Sequence, residues 1–366
     1  MLAELMRTFL TGRRSTRRAT VALTSFVLAV GMAAGCASSD TPENALASDA
    51  ALPTEIPAGT TLVIADQSEF QQSVLRASGE LDKLPFEYEF ANFVGGPAIL
   101  EAFRAGAADT ARVGDTPPIQ ALIAGQDVPI IHATQSEPNN TRLAVAADRD
   151  ITTLADLKGK KIAYAEGTAQ QAIVLRALAK ADLSTDDVEL VRLQLSEFPD
   201  AIRTGQVDVA PLNEPNLTRF LNNPGTTLID TSESGGTSTG LSYLYARREA
   251  IQDPAKAAAL QAYIASFTRA VQWANEHPDE WLQKYYVEGQ GLTPEDGRRI
   301  VDSLGAYAFP KLDSLVEQQQ STIDVIDDAG ELPKSVQASD GFDLRFGDVG
   351  ARTVEEVGGS FTRSES

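Results

Sequence analysis

Sulfur and imidazole side chains are scarce in this chain of 366 residues, which has one Cys, three Met and two His. A single Cys forms no intrachain disulfide and no CxxC redox or zinc motif. The two histidines, His132 and His277, stand too far apart for an HExxH zinc motif, although either could supply the base of a Ser-His-acid triad. None of these patterns predicts a metal site, and we expect no cofactor and no catalytic residue.

Basic side chains are also in short supply, because 31 Lys and Arg face 51 Asp and Glu and leave a formal net charge of −20. Nucleic acid is therefore not an expected partner, since phosphate binding requires clustered Lys and Arg. The hydrophobic share of 43 % is ordinary for a soluble globular protein, and the length suits about two domains. Such a chain can bury a large core without disulfide or metal support.

The basic residues that are present gather at the start of the chain. Residues 1–35 carry five Arg and one Glu, and residues 20–35 form an apolar run that is shorter than the ~20 residues of a membrane span. The run ends in AAGC at Cys36, which resembles the lipobox of bacterial lipoproteins. We expect a lipoprotein signal peptide over 1–35 and lipidation of Cys36. An ordinary signal peptide with an incidental Cys is the alternative, and Sec or twin-arginine export stays open.

Removal of the signal peptide would change the formal charge from −20 to −24, because five Arg and one Glu leave with it, and all three Met would leave as well. A mature protein without free thiols or thioethers suits an oxidising extracytoplasmic setting. Residues 36–58 are rich in Ser, Asp, Ala and Pro and show no helical or strand period. This composition predicts a flexible tether.

The rest of the chain alternates short apolar strands with helices, a rhythm typical of an α/β protein with a mainly parallel sheet. Predicted strands cover 60–64, 86–90, 110–113, 128–133, 143–147, 161–165, 188–193, 207–212 and 241–246. Predicted helices between them cover 70–81, 98–105, 119–124, 153–157, 169–181 and 199–204. The last third is helical, over 254–275, 278–286, 294–304 and 312–329, and the tail beyond residue 346 has no clear period.

Three glycine turns each join a predicted strand to a predicted helix, at residues 93–97, 113–118 and 166–170. Such turns aim unpaired helix N–H groups at the crevice beyond the strands, where open α/β sheets bind ligands. The alternative is that they serve only as caps and tight turns. Arg112 and Arg142 are the basic residues nearest these turns, and each could pair with an anionic ligand or with a carboxylate of the protein.

Aromatic residues cluster at helical spacing in the C-terminal third, around Trp273 and Trp281. The others are Tyr263, Phe267, Tyr285 and Tyr286. Residues at such spacing pack the core between helices, and the alternative is that some of them face a ligand.

At the glycine turns the sequence resembles a known family. The runs NFVGGPAILEAFRAGAADTARVGDTPPIQALIAGQDVPII, ITTLADLKGKKIAYAEGTAQQAIVLRAL and FPDAIRTGQVDVAPLNEP resemble the aliphatic-sulfonate-binding branch of ABC-importer substrate-binding proteins. Taurine-, nitrate- and thiamine-precursor-binding proteins are related to it. The resemblance extends over residues 60–329.

The resemblance implies a periplasmic-binding-protein fold of type II, with two lobes, a hinge and a ligand cleft between them. It places lobe one at 59–143 and 241–346, lobe two at 144–240, and a C-terminal tail at 347–366. The two crossovers would lie near Arg142 and Gly240. Closure on the ligand would be a hinge motion.

The resemblance also implies the site, position by position. Gln67 corresponds to the polar residue after the first strand, and the helix-opening turns supply the next candidates. These candidates are Gly96, Pro97, Asp115, Thr116, Gly167, Thr168, Ala169 and Gln170. Asn213 and Glu214 stand where many relatives have Trp-Asp, so the apolar wall that the Trp provides is missing here, and Glu214 would disfavour a dianion.

The expected function is therefore an extracytoplasmic solute-binding lipoprotein of an ABC importer, anchored to the membrane through Cys36. It would act as a monomer, capture a small organic anion such as an aliphatic sulfonate, and deliver it to a permease that is driven by an ATPase. Nitrate, bicarbonate or a thiamine precursor are alternative ligands, and a receptor lipoprotein without transport is an alternative role. An enzyme on this fold is a third class, although the Cys-rich iron motif of the precursor-forming relative is missing from this sequence.

Overall fold

A computed structural model describes residues 45–363 of the chain. The predicted signal peptide, the lipidation site at Cys36 and the first part of the predicted tether lie outside the described residues. Within the described range, no helix is long and apolar enough to cross a membrane.

The first sheet has five strands in the order β2-β1-β3-β10-β4. They are β1 (Thr61–Asp66), β2 (Glu87–Asn92), β3 (Thr110–Val113), β4 (Ile130–Gln135) and β10 (Leu241–Ala246). Strands β1, β2 and β3 are parallel, whereas β10 runs antiparallel to both of its neighbours. The edge strand β2 is largely exposed, and the central β1 is largely buried, as expected from their positions in the sheet.

The second sheet also has five strands, in the order β7-β6-β8-β5-β9. They are β5 (Thr141–Val145), β6 (Lys161–Tyr164), β7 (Glu189–Arg192), β8 (Val209–Asn213) and β9 (Thr227–Leu228). Here β6, β7 and β8 are parallel, and β5 is the antiparallel strand. Each sheet thus receives one antiparallel strand, β5 or β10, directly after the chain arrives from the other sheet.

Helices flank both sheets and fill the C-terminal third. The described helices are α1 (Phe70–Ala77), α2 (Gly96–Arg104), α3 (Pro117–Ala124), α4 (Ala169–Lys180), α5 (Phe198–Arg203), α6 (Asn216–Leu221), α7 (Thr231–Ser234), α8 (Arg248–Gln252), α9 (Pro254–Glu276), α10 (Pro278–Trp281), α11 (Pro294–Leu304), α12 (Val316–Asp328) and α13 (Gly347–Glu356). A π-helical stretch, Leu282–Gly289, continues α10. Helices α9 and α11 begin at Pro, which is pre-organised for the first helical turn.

The first crossover between the sheets lies earlier than predicted. Strand β5 begins at Thr141 and contains Arg142, so residues 141–143 belong to the second sheet and not to lobe one. The second crossover passes Gly240, whose φ is +67° and whose added Cβ would meet the Ser136 carbonyl oxygen at 2.2 Å. The two crossovers therefore touch, and only glycine fits at this contact.

Helix α12 departs from the expected assignment of 241–346 to lobe one. Its buried residues Ile323 and Ile326 pack in the core of the second sheet with Ile173 of α4. The chain then returns, and Phe342 forms a bridge with Ile130 of β4. The apolar face of α12 covers the second lobe, so the C-terminal third connects the lobes a third time.

Both ends of the described chain are more ordered than the sequence suggested. In the expected tether, Leu52 and Ile56 pack against the first core, and the Arg345 guanidinium donates to the carbonyls of Ala47 and Ala50 at 3.0 and 3.1 Å. The expected irregular tail forms α13, and its Val354 is buried in the same core. Both segments are polar in composition, so their sequences did not predict that a few apolar residues would pack against the core of the first sheet.

Candidate ligand-binding cleft

A cleft of about 180 Å³ lies at the carboxyl ends of the parallel strands of both sheets. Asp66 and Gln67 follow β1, Arg112 to Asp115 end β3, and Asn213 and Glu214 end β8. This is the position at which open α/β sheets offer ligand sites, because the helix N-termini point there.

Eight of the eleven predicted site residues line this cleft. They are Gln67, Gly96, Asp115, Thr168, Ala169, Gln170, Asn213 and Glu214. The other three, Pro97, Thr116 and Gly167, do not line it.

The three that do not line the cleft contribute to packing. A Cβ on Gly167 would lie 3.4 Å from Cγ of Pro97, so these two turns meet across the lobes. Thr116 is fully buried, and its hydroxyl donates to the Asp115 carboxylate at 3.2 Å. A similar close approach occurs at Gly114, where a Cβ would lie 2.7 Å from Cβ of Ala169. Small residues at these turns let the lobes come together.

The helix N-termini at the cleft are not equivalent. The Asp66 carboxylate accepts from the N–H groups of Gln67, Gln71 and Gln72 at 2.8, 3.1 and 3.0 Å, which occupies the start of α1. Helix α3 begins Pro117-Pro118, and proline has no N–H to donate. Helix α4 begins without proline, and its first residues line the cleft. Of these three helices, α4 is therefore the one whose first N–H groups are available to an anion.

Arg112 is the cation of the cleft without an acidic partner. No carboxylate among the described residues forms a salt bridge with it, and its buried Nε has no hydrogen-bond partner there. The guanidinium lies over the Phe70 ring, 4.4 Å from its centroid. A half-buried guanidinium held by an aromatic face and lacking a counter-ion is prepared to bind an anion.

Gln67 holds the turn beside Arg112. Its side-chain Nε2 donates to the Arg112 carbonyl at 2.9 Å, and its Oε1 accepts from the N–H of Gly95 at 3.0 Å. The amide therefore ties the end of β1 to β3 and to the turn before α2, and its polar atoms are already engaged.

Asp115 is likewise engaged by the protein. Its carboxylate accepts from Arg176 of α4 at 2.9 Å and from the Thr239 hydroxyl at 3.2 Å. Arg176 also donates to the Thr237 carbonyl and to the Thr322 hydroxyl of α12. This network, here called the hinge network, joins both lobes, the second crossover and α12. Its charges are satisfied, so Asp115 positions the lobes and does not face a ligand with a free carboxylate.

Several other polar side chains of the cleft are free of protein partners. The side chains of Gln170 and Asn213 and the hydroxyls of Tyr286 and Tyr307 line the cleft, and no hydrogen bond from them to another described residue is found. Polar groups in a sheltered site are normally paired, so this concentration is typical of a surface completed by a ligand and water.

Two carboxyls give the cleft acidic character. Burial raises the pKa of Glu214, although the N–H of Thr218 donates to it at 3.1 Å. Burial likewise raises the pKa of Asp66, against its hydrogen bonds from the start of α1. In both cases the cause is the removal of the carboxyl from water, which disfavours its charged form.

The sequence left the roles of Arg112 and Arg142 open, and of these two only Arg112 lines the cleft. The sequence did not indicate three other residues that line it, which are Arg176, Tyr307 and Asn140. Arg142 lies in β5 and donates to the Ile229 carbonyl at 3.4 Å. Arg112 ends a strand next to a glycine turn, and this position was the available signal. Arg176 and Tyr307 stand in the middle of a helix and in a loop, where no local pattern marks them.

The aromatic cluster packs in the core of the first lobe, and part of it also lines the cleft. Tyr263 and Phe267 are fully buried in the first core. Tyr285 stacks on Trp281 with centroids 4.6 Å apart, and Tyr285 and Tyr286 also line the cleft. The core therefore supports an aromatic wall of the site.

Neither histidine lies at the cleft. His132 is buried, and its Nε2 shares a hydrogen bond of 3.1 Å with the Thr268 hydroxyl. Burial lowers the pKa of His132 to about 4. His277 is exposed and contacts the Trp273 carbonyl. Among residues 45–363 no group of three or more His, Cys, Asp or Glu side chains is arranged to hold a metal ion.

Two α/β lobes with matching five-stranded sheets and a cleft at their strand ends define a periplasmic-binding-protein fold of type II. A family model described as NMT1/THI5 like matches residues 95–281, about half of the chain. The chain belongs to this NMT1/THI5-like family.

Named relatives extend the comparison. The chain is 32 % identical over 184 residues to a putative aliphatic sulfonates-binding protein of Escherichia coli, covering 50 % of this chain and 56 % of that protein. The match thus spans little more than half of that relative's length. A Bacillus subtilis protein with the same name is 25 % identical over 72 % of this chain and 79 % of its own length.

Solved structures share the fold. The alkanesulfonate-binding protein SsuA from Xanthomonas axonopodis pv. citri, bound to MOPS, superposes with a TM-score of 0.71 at 24 % identity, over 78 % of this chain and 99 % of that one. The desulfurization enzyme DSZB has a TM-score of 0.57 at 16 % identity, over 81 % of this chain and 99 % of its own. The fold therefore accommodates both binding proteins and an enzyme.

Proposed function

We propose that this chain is an extracytoplasmic solute-binding lipoprotein of an ABC importer that captures a small organic anion, an aliphatic sulfonate, in its cleft. Two curated relatives are named aliphatic sulfonates-binding proteins, which supports this ligand class. The ligand would be delivered to a membrane permease, with Cys36 as the lipid anchor and residues 1–35 as the signal peptide.

The observation that carries the proposal is the free guanidinium of Arg112. Arg112 and Arg176 both line the cleft, but only Arg176 has a carboxylate partner among the described residues. A charge-assisted hydrogen bond to a ligand would satisfy Arg112, and the start of α4 lies ready to contribute N–H groups. We propose Gln170 and Asn213 as further ligand contacts.

The proposed ligand carries a single negative charge. Glu214 and Asp66 line the same cleft as Arg112, and Arg112 is the one arginine of the described cleft lining without a carboxylate partner. A dianion would add repulsion there, whereas a sulfonate bears one charge spread over three oxygens.

We propose no chemical reaction for the cleft. A hydrolytic triad would need a histidine base, and both His132 and His277 lie away from the cleft lining. The shared fold of DSZB alone carries no activity to this chain, because function depends on the residues of the site.

A second candidate ligand is an aromatic precursor of the thiamine type. The wall formed by Tyr285, Tyr286 and Tyr307 favours it, since aromatic rings pack on aromatic side chains. A putative thiamine biosynthesis protein of Haemophilus influenzae is 25 % identical over 55 % of this chain and 64 % of its own length.

Thermal unfolding of the purified protein, after removal of ligand by unfolding and refolding, tests the proposal. The panel holds butanesulfonate, taurine, sulfate, nitrate, bicarbonate and a thiamine precursor at ~1 mM. A ligand with a Kd of ~1 μM should add about 4 kcal/mol to the free energy of unfolding and raise the Tm by several degrees. A shift with the precursor but with no sulfonate would select the second candidate.

Arg112→Gln identifies the site, and Arg142→Gln is its matched control, because Arg142 is a half-buried arginine that does not line the cleft. We expect the sulfonate-dependent shift to disappear or shrink in Arg112→Gln and to persist in Arg142→Gln. Equal loss in both variants, or retention in Arg112→Gln, would contradict the assignment.

A further inference from the structure

A second cavity, of about 340 Å³, adjoins the cleft and is also walled by both lobes. Its first-lobe wall is the turn between β2 and α2, and its second-lobe walls are the turn before α4 and the segment after β7. Three residues, Gly95, Thr168 and Leu195, line both this cavity and the cleft. The two spaces are therefore neighbours with a common partition.

The partition is the side chain of Leu195 against the backbone of Gly95. A Cβ placed on Gly95 would lie 3.1 Å from Cδ1 of Leu195, so the leucine methyl rests on the glycine. Gly95 belongs to the first lobe and Leu195 to a short 3₁₀ turn of the second lobe. A leucine side chain has several rotamers at modest cost, so this partition can yield to a ligand.

The second cavity offers uncovered apolar surface. Val94 at its edge is 66 % exposed, which is high for a large aliphatic side chain, and Ala98 on α2 is exposed beside it. The one cation of the rim is already paired: the Arg192 guanidinium lies 2.7 Å from the Glu166 carboxylate and 5.3 Å from the Tyr164 ring centroid. The remaining charged group, Glu197, accepts from the N–H of Gln194 at 2.7 Å. The cavity thus suits a hydrocarbon group and provides no free cation for a second anion.

We propose that the second cavity receives the apolar tail of the ligand, and that Leu195 determines how long or bulky this tail can be. This inference rests on the proposed function, because the anionic head must be held at Arg112 for the tail to reach the partition. The preferred ligands are then organic anions with a hydrocarbon chain or ring that extends beyond the cleft, and not the smallest sulfonates.

Calorimetric titration of the whole protein with methane-, butane- and octanesulfonate measures the contribution of the tail. Each methylene that leaves water for an apolar wall should strengthen binding about fourfold. We expect the Kd of octanesulfonate to be at least about tenfold lower than that of butanesulfonate, on the basis of that increment.

Ala98→Trp fills the second cavity from an exposed helix position, and Ala105→Trp, at the end of the same helix and outside both cavities, is its control. Ala98→Trp should remove the advantage of octanesulfonate and leave the Kd of methanesulfonate unchanged. Ala105→Trp should alter neither. Leu195→Ala should widen the partition and favour branched or aromatic sulfonates over linear ones.

The outcomes separate the two proposals. Equal affinity for butane- and octanesulfonate, or an octanesulfonate advantage that survives Ala98→Trp, would overturn the tail site while leaving the sulfonate cleft in place. Failure of every sulfonate to bind would overturn the proposed function, and the tail site would fall with it. A chain-length effect that Ala98→Trp abolishes and Ala105→Trp preserves would support both.

Discussion

Two sides of the cleft each present an arginine, and the surroundings of the two arginines are opposite. On the hinge side, Arg176 pairs with Asp115 and donates to a crossover carbonyl and a threonine hydroxyl. On the other side, Arg112 rests on Phe70 and has no acidic partner among the described residues. Of the two arginines in this cleft, one is thus neutralised by the protein and the other is not.

The difference separates groups that hold the fold from groups that await a ligand. Removing one member of a buried ion pair leaves an uncompensated charge, which is costly. Removing a charge that has no protein partner changes the free energy of unfolding little. Its effect appears in the affinity for a ligand of opposite charge. Measurements of unfolding free energy and of ligand affinity should therefore distinguish the residues that stabilise the fold from those that bind the ligand.

The largest effect should follow from Arg176→Met, which leaves the Asp115 carboxylate buried without its counter-ion. We expect a loss of about 3–5 kcal/mol in the free energy of unfolding, measured by urea denaturation at pH 7. Arg104→Met breaks an exposed pair with Glu101 and should cost less than about 1 kcal/mol. Similar losses in the two variants would show that the hinge network does not stabilise the fold.

Acidification should destabilise the first lobe through His132. The folded protein keeps this imidazole neutral down to about pH 4, whereas the unfolded chain protonates it below its ordinary pKa of 6.5. The unfolded state therefore binds more protons between these two pH values. Because of this group, the free energy of unfolding decreases by about 3 kcal/mol as the pH falls from 6.5 to about 4.

The test for His132 is the pH dependence of urea unfolding between pH 7 and 4.5 in His132→Gln. Carboxylates titrate in both proteins, so the informative quantity is the difference between variant and wild type. The slope should become shallower in His132→Gln and stay unchanged in His277→Gln, which alters an exposed histidine. An unchanged slope in His132→Gln would exclude His132 as the source.

Gly240→Ala probes the contact between the crossovers. The new methyl group would meet the Ser136 carbonyl oxygen at 2.2 Å, in a backbone with φ of +67°. Gly236 has φ of +80° with open space around its position, so Gly236→Ala isolates the backbone strain. We expect a cost of about 1 kcal/mol for Gly236→Ala and about 2–3 kcal/mol for Gly240→Ala in thermal or urea unfolding. Equal costs would mean that the crossovers separate readily.

The smallest effect on stability should be that of Arg112→Gln. Because no protein carboxylate pairs with this guanidinium, the ligand-free variant should unfold within about 0.5 kcal/mol of the wild type. Its affinity for a sulfonate should nevertheless fall about 10- to 100-fold in calorimetric titration, since a charge-assisted hydrogen bond is lost. A loss of stability comparable to that of Arg176→Met would remove the distinction between the two arginines.

Local patterns in the sequence were sufficient for most of the helices and strands. Apolar runs bounded by glycine turns located β1, β3 and β4, and proline starts located α9 and α11, because these signals act within a few residues. The same reasoning missed α13 and the docking of residues 45–58. Those segments are polar overall, and their few apolar residues gain stability only from a surface formed by distant parts of the chain.

The sequence predicted residues that lie together at one cleft, but it did not predict which of their polar groups are bonded to other parts of the protein. The glycine turns lie at the end of the sheets where the cleft is found, and eight of the eleven proposed residues line it. Their role in binding a ligand stays a prediction. Which of them have free polar groups depends on partners far away in sequence. The Asp115 carboxylate accepts hydrogen bonds from Arg176 and Thr239. These partners are 61 and 124 residues away in the sequence, so no local pattern predicts the two contacts.

The sequence alone determined the α/β alternation, the acidic charge, the scarcity of metal-binding and thiol groups, and the place of the turns. These properties depend on composition and on interactions between near neighbours. Only the tertiary structure decided that α12 crosses to the second lobe, that Arg176 is neutralised while Arg112 is not, and that Leu195 divides two cavities. Those features arise where segments separated by many residues meet, and the free energy of such contacts depends on geometry that no local pattern encodes.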